Sequence, residues 1–384
     1  MHFEFACAAR LIFGIGSAQR LGDLASEMGR RAFVVTGRQA DRFAPVLERL
    51  QPRGIRSQSF SVDGEPTIDL ARTAVAQARS TGSDLVIGIG GGSVLDTGKT
   101  VAALATNPGQ VEDYLEVIGR NRPLSRRPLP YIAIPTTAGT GSEVTRNAVL
   151  ASKPHRIKVS MRSPLMLPAL AIVDPELTLG LPPAVTAATG LDALSQLVEA
   201  FVSTKSNPLT DGICRTGLKQ AASGLRRAFH DGADLQARQM MSLASLCGGI
   251  ALANAGLGAV HGIAGPFGGM FTSPHGAVCG RLLPLVMAAN IDALTARGED
   301  SKPLKRYAYL ARTLTGDAAA TTADGICWVQ KICAELTPPP LSAYGLTHSD
   351  IPALVEKTQE SSSMRGNPIR LTASEIRKIL EAAF

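Results

Sequence analysis

The chain has 384 residues, 18% of them charged and 45% hydrophobic; that length points to two domains with cores of their own, and that composition excludes a disordered chain. The net charge of +7 comes from scattered basic residues and aromatics make up only 4%, which argues against a nucleic-acid groove and for a globular protein with a basic surface. Six cysteines form no CxxC pair, and the N-terminus has no basic region followed by an apolar core, so a reducing, cytoplasmic setting is expected.

In chain order, "RAFVVTG" (31–37) predicts a strand, "APVLERL" (44–50) a helix and "TIDLARTAVAQARSTG" (67–82) a longer helix. "DLVIGIG" (84–90) follows as a strand and "VLDTGKTVAALAT" (94–106) as a helix, and then "YIAIPTT" (131–137) and "LAIVD" (170–174) as two more strands. Apolar strands alternating with amphipathic helices predict a Rossmann-like parallel α/β domain. Beyond about residue 179 strand signals fade, and Ala, Leu and Gly recur at helical spacing to the C-terminus. The expected division is therefore 1–178, α/β, and 179–384, all-helical, with a cleft between the two. The apolar run "SLASLCGGIALANAGLGAVHGIAGP" has the length of a membrane span, but Asn254, His261 and repeated Gly make it read as close-packed buried helix. No membrane association is expected.

Two loops carry a nucleotide signal. "GIGGGSVLDTGKT" (88–100) places Gly91, Gly92 and Ser93 at a strand-to-helix turn, where backbone N–H groups can take a pyrophosphate. Ser93 stands where the GxGxxG fingerprint needs glycine, and one extra residue before Gly98, Lys99 and Thr100 breaks the GxxxxGK[ST] loop of nucleoside triphosphatases. For such a triphosphatase, Asp174 at the end of "LAIVD" would supply the magnesium carboxylate. The second loop, "IPTTAGTGSEVT" (134–145), offers Thr136, Thr137, Thr140 and Ser142 as hydroxyl donors at the carboxyl edge of the same sheet. Asp96 is a further candidate contact, although Asp96 and Lys99, three apart on a helix, equally form a structural ion pair.

"GGGSVLDTGK", "PTTAGTGSEVT", "DPELTLGLPPAVTAATGLDAL", "GAVHGIAGP" and "SPHGAVCGRLLP" follow one another in the order and spacing that resembles the iron-containing (group III) alcohol dehydrogenases. The resemblance implies a dinucleotide-binding α/β domain, a helical metal-binding domain of the dehydroquinate synthase-like fold, and NAD(P)-linked interconversion of small alcohols with aldehydes or ketones. It also implies one divalent ion, Fe2+ or Zn2+, held by Asp192, Gln196, His261 and His275, with Gln196 standing where the family carries histidine. An amide oxygen is the poorer ligand, so the ion is expected to be weaker and softer metals disfavoured relative to a full His set. Lys158 matches a family lysine near the ribose, and a homodimer is expected. Gly265 replaces a second family histidine that lines the site, which leaves room for a larger substrate and makes bound water the expected proton carrier. The ion would polarise the substrate oxygen while the protein orients the two carbons.

Maleylacetate reductases form a sister branch whose counterpart of the threonine-rich loop is usually shorter. A metal-free relative that binds a nucleotide without catalysing is the alternative of another class, with Gln196 and Gly265 as marks of loss. Cofactor choice rests on "VVTGRQ" (34–39): Gly37 stands where NAD-preferring members carry Asp, and Arg38 offers a guanidinium suited to a 2′-phosphate. An exposed turn accounts for Arg38 equally well from sequence alone, but loss of the repelling carboxylate inclines the expectation from NAD toward NADP.

Overall fold

The computed structural model describes residues 2–298 and 300–384. The chain folds as two compact units, Ala6–Leu179 and Gly180–Phe384, the latter with the N-terminal residues through Phe5. The division falls one residue beyond the expected boundary, and the first few residues belong to the helical unit rather than the α/β one.

The first unit is built on a six-stranded parallel sheet, β1 (Leu11–Phe13), β2 (Arg31–Gly37), β3 (Arg56–Val62), β4 (Leu85–Gly90), β5 (Tyr131–Pro135) and β8 (Leu170–Val173), in the order β1-β8-β5-β4-β2-β3. All residues of β4 and β5 are buried, which is why they read as unbroken apolar runs: a parallel strand covered on both faces has no polar side. One face packs Phe33, Val35 and Val86 beneath α3 (Ile68–Ser80) and α4 (Gly92–Thr106). The other packs Ile87, Ile89 and Ile132 against α1 (Leu21–Ser26) and α2 (Ala44–Leu47). The expected helix 44–50 is only one turn of α-helix, continued through Arg53 as a 3-10 helix containing Pro52, since proline supplies no N–H for the α-helical ladder.

Four strands escape the sequence pattern. β3 is an outermost strand whose polar residues are mostly exposed, and β1 has three residues at the opposite edge. β6 (Asn147–Ser152) and β7 (Ile157–Arg162) form a separate antiparallel hairpin.

The second unit has nine α-helices among its described residues: α5 (Pro183–Val202), α6 (Pro208–His230), α7 (Leu235–Ala255), α8 (Ala259–Met270), α9 (His275–Arg297), α10 (Lys302–Thr315), α11 (Thr322–Leu336), α12 (Ile351–Glu360) and α13 (Ala373–Ala383). α5 is buried without interruption from Gly190 to Val202, and α6, α7 and α9 pack around it. The apolar run 242–266 is two helices, α7 and α8, bent by 96° at the intervening break. α9 is long and apolar enough to cross a membrane by length and composition, with 61% of its apolar window buried inside the protein.

Candidate active site

The carboxyl ends of β2, β4 and β5 bring the glycine and threonine loops together. Gly91 caps α4 with extended backbone and no side-chain capping bond, so no N-cap side chain covers the first-turn N–H groups, which suit an anion. Gly92 is required by close approach: a Cβ there would stand 2.8 Å from the Thr140 methyl. A Cβ on Gly91 would likewise meet Thr137 at 3.4 Å, and one on Gly37 would touch only Val94, in the first turn of α4, at 3.9 Å. Gly37, Gly91, Gly92, Ser93, Thr137 and Thr140 therefore share one sheet edge. Thr136 is buried, its N–H donating to Gly90 O at 3.0 Å.

Asp96 and Ser142 turn inward. Ser142 Oγ donates to Asp96 at 2.6 Å and Val149 N donates to its second oxygen at 2.9 Å, so this pair fastens the threonine loop and the hairpin to α4. Lys99 is fully buried, donating to Ser142 O at 2.9 Å and Thr145 Oγ1 at 2.8 Å with Asp96 at 3.2 Å. A triphosphatase needs that lysine on phosphate and Asp174 on magnesium; Asp174 instead accepts from Gly16, Ala18 and Glu176 N–H groups. The structure removes that reading. Lys158, on β7, pairs with Glu65 at 3.0 Å. Arg38 pairs with Asp63, because Gly37 and Val62 are partners across β2 and β3 and the next residue of each strand meets the other.

In the helical unit, α5 presents Asp192, Gln196 and Glu199 along one face at helical spacing. The break between α7 and α8 sets His261 in the first turn of α8, and Pro274 precedes His275, the first residue of α9. Gly276 lets α9 approach α5: a Cβ there would lie 2.0 Å from Ala188 O. The result is a group of four donors, buried Asp192, His261 and Cys279 and half-buried His275, whose ligand atoms all lie within 4.8 Å of one another. His261 Nε2 is 3.2 Å and His275 Nε2 4.0 Å from Asp192 Oδ1.

Glu199 fixes the imidazole of His261. Its carboxylate accepts from His261 Nδ1 at 2.6 Å and from Val260 N at 2.6 Å, which puts the proton on Nδ1 and turns Nε2 toward Asp192 and Cys279. Buried acceptors facing one another at these distances need either protons or a cation between them. In the protein alone protons take that place. Burial works against charge on His261 and His275, but the facing Cys279 and Asp192 groups hold both imidazoles above the ordinary histidine range. Burial likewise works to raise Asp192 and Cys279, and the imidazoles hold both below their ordinary values. A divalent ion fits this set, because a dication can stand where these facing groups otherwise need protons.

The oxygen ligand expected from Gln196 is instead an N–H donor to the Asp192 carboxylate. Its amide oxygen faces Gly248 of α7, where a Cβ would stand 2.9 Å away. Gly265 has open space around its Cβ position.

The sequence gives no chemical motif for Glu199, Cys279 or Asp63. Helical spacing offers the only signal, Glu199 lying seven residues after Asp192 and Cys279 four after His275.

Known proteins resemble this chain over nearly its whole length. Residues 8–175 match the family model for iron-containing alcohol dehydrogenase, and residues 186–384 match the C-terminal model of the same Fe-containing family. Long-chain-alcohol dehydrogenase 1 of Geobacillus thermodenitrificans is 35% identical, over 98% of this chain and 97% of its own. A crystal structure of 1,3-propanediol oxidoreductase superposes with a TM-score of 0.91 at 31% identity, covering both chains fully. A sulfoacetaldehyde reductase from Bifidobacterium kashiwanohense, solved in complex with NAD+, gives 0.87 at 26% identity, over 99% of this chain and 98% of its own. The chain belongs to the iron-containing alcohol dehydrogenase family, and it is a metal-dependent, NAD-linked oxidoreductase of alcohols and aldehydes.

Proposed function

We propose that the chain interconverts a small alcohol and its aldehyde or ketone with Asp192, His261 and His275 holding the divalent ion, and that it uses NADP(H) as well as NAD(H). The observation that carries this reading is the convergence of those three side chains, with Glu199 fixing the ring of His261. When bound, the ion supplies Lewis-acid polarisation of the substrate oxygen. Asp192 contributes a negative charge that His261 and Gln196 orient. The N–H groups after Gly91 take the cofactor pyrophosphate, and Thr137 and Thr140 lie beside them. Gly265 presents no imidazole, so the alcohol proton leaves through water, and the open space there admits a bulkier substrate.

Cofactor choice follows from the ends of β2 and β3. Gly37 offers no carboxylate to repel a 2′-phosphate, and Arg38 is exposed in its pair with Asp63, a surface pair worth little that a phosphate can displace. Asp63 acts in the opposite direction, as a carboxylate that neutralises Arg38. The test is metal content of the purified protein together with turnover of an alcohol and aldehyde panel with both cofactors. His261→Ala should lose stoichiometric metal and activity together; a variant that keeps its metal overturns the ligand assignment.

A further inference from the structure

We infer that Cys279 is a thiolate ligand of the metal ion, taking the coordination position left by Gln196, whose amide instead orients Asp192. The inference rests on the metal-dependent reading above and adds a ligand to it.

Cys279 is fully buried, and its Sγ lies 3.6 Å from His275 Nε2 and 3.8 Å from His261 Nε2. His275 and Cys279 stand one helical turn apart on α9, so both side chains leave the same face. The distances have the size of a coordination polyhedron. Bonds of about 2.0–2.1 Å to nitrogen or oxygen and about 2.3 Å to sulfur, at tetrahedral angles, separate N and S by roughly 3.5 Å and N and O by roughly 3.3 Å. The observed N···S edges of 3.6 and 3.8 Å lie just above the first value, and the N···O edges of 3.2 and 4.0 Å lie on either side of the second.

An ordinary hydrogen-bonded thiol accounts less well for the arrangement. A thiol that faces two imidazole nitrogens at once can donate to one but must accept from the other through a sulfur that is a poor acceptor. Gln196 meets Asp192 through its N–H, whereas a ligand would have to offer its oxygen. On binding, the S–H bond is lost, its proton goes to solvent, and the sulfur lone pair goes to the ion. With Asp192 the thiolate makes the ligand set doubly negative, matching a dication. A sulfur ligand also shifts preference toward softer ions, zinc and cobalt over manganese.

The test is cobalt substitution of the full-length protein. Apo-protein reconstituted with one equivalent of Co2+ should show the intense near-ultraviolet band of thiolate-to-cobalt charge transfer. Cys279→Ser should lose the band and weaken Co2+ at least tenfold while keeping the parent's melting temperature without metal. Cys333→Ser, outside the cluster, should keep both. Cobalt bound stoichiometrically by the parent without the band overturns the thiolate ligand and leaves the metal-dependent reading standing. No cobalt bound by the parent overturns both. The parent spectrum alone decides the matter should Cys279→Ser fail to fold, and Cys279→Ala retaining the band overturns the proposal.

Discussion

Glu199→Gln isolates the carboxylate behind His261 in the proposed metal site. The carboxylate accepts from Val260 N at 2.6 Å, His261 Nδ1 at 2.6 Å and His261 N at 3.4 Å, at 4% exposure. Glutamine keeps one oxygen, which the Val260 N–H claims, and turns its NH2 toward His261 Nδ1. That ring nitrogen must then accept, so the proton moves to Nε2, the atom that faces Asp192 and the ion. Losing such a partner weakens metal binding by roughly 10–100-fold, equivalent to about 1.4–2.7 kcal/mol. The assay is titration of apo-protein with Zn2+ against a chromophoric chelator, with melting of the metal-free forms as the control for folding. Glu199→Asp, which keeps the charge on a shorter arm, should fall between parent and Glu199→Gln. An unchanged dissociation constant in Glu199→Gln, at unchanged melting temperature, refutes the claim that this carboxylate sets the tautomer of His261.

Gly37→Asp meets no steric obstacle, since a Cβ there touches only Val94 at 3.9 Å; it should move the ratio of catalytic efficiencies toward NADH, and Asp63→Asn, by freeing Arg38, toward NADPH. If neither ratio moves, the ends of β2 and β3 do not read the ribose. Gly92→Val drives side-chain atoms into Thr140 and should raise the cofactor dissociation constant at least tenfold by fluorescence titration, with metal content unchanged; cofactor binding at parental strength removes the loop's role. Glu143 is buried, and burial raises its carboxyl to about 7. The folded chain thus holds a proton that the unfolded chain gives up near pH 4.5, and folding stability falls as pH rises from about 4.5 to about 7, by up to about 3 kcal/mol. Glu143→Gln should flatten that decline in denaturant titrations at pH 5 and pH 8, and a slope equal to the parent's assigns the pH dependence to other groups.

The parallel sheet is legible where burial is complete. β2, β4, β5 and β8 have interiors closed on both faces, so their sequences are apolar without alternation and the strand signal is strong. β3 reads "RSQSFSV" because an edge strand is partly exposed and its stability comes from pairing with β2 rather than from side-chain burial. That omission matters for function: without β3, Asp63 has no place beside Arg38, and the cofactor argument from Gly37 alone lacks its opposing charge.

The proposed metal site divides along the same physical line. Asp192, His261 and His275 are legible because three unusual residues sit in three motifs that resemble one family, and the structure then brings them to one point. Nothing in the local sequence of Glu199 or Cys279 separates a buried packing or ion-paired group from a group that touches the site. What separates them is geometry from other elements: the bend before α8 that aims His261 at Glu199, and Gly276, which lets α9 close on α5 and carries Cys279 inward. Gly276→Ala therefore should act on both layers at once, because its methyl would stand 2.0 Å from Ala188 O and 2.9 Å from Asp192 Cβ. α9 must shift from α5 to relieve that overlap, separating His275 and Cys279 from Asp192. Overpacking of this kind costs roughly 1–3 kcal/mol of stability, and the displaced ligands should cost metal in addition. A variant that melts lower yet binds Zn2+ with parental affinity would show that the α5–α9 approach serves packing alone.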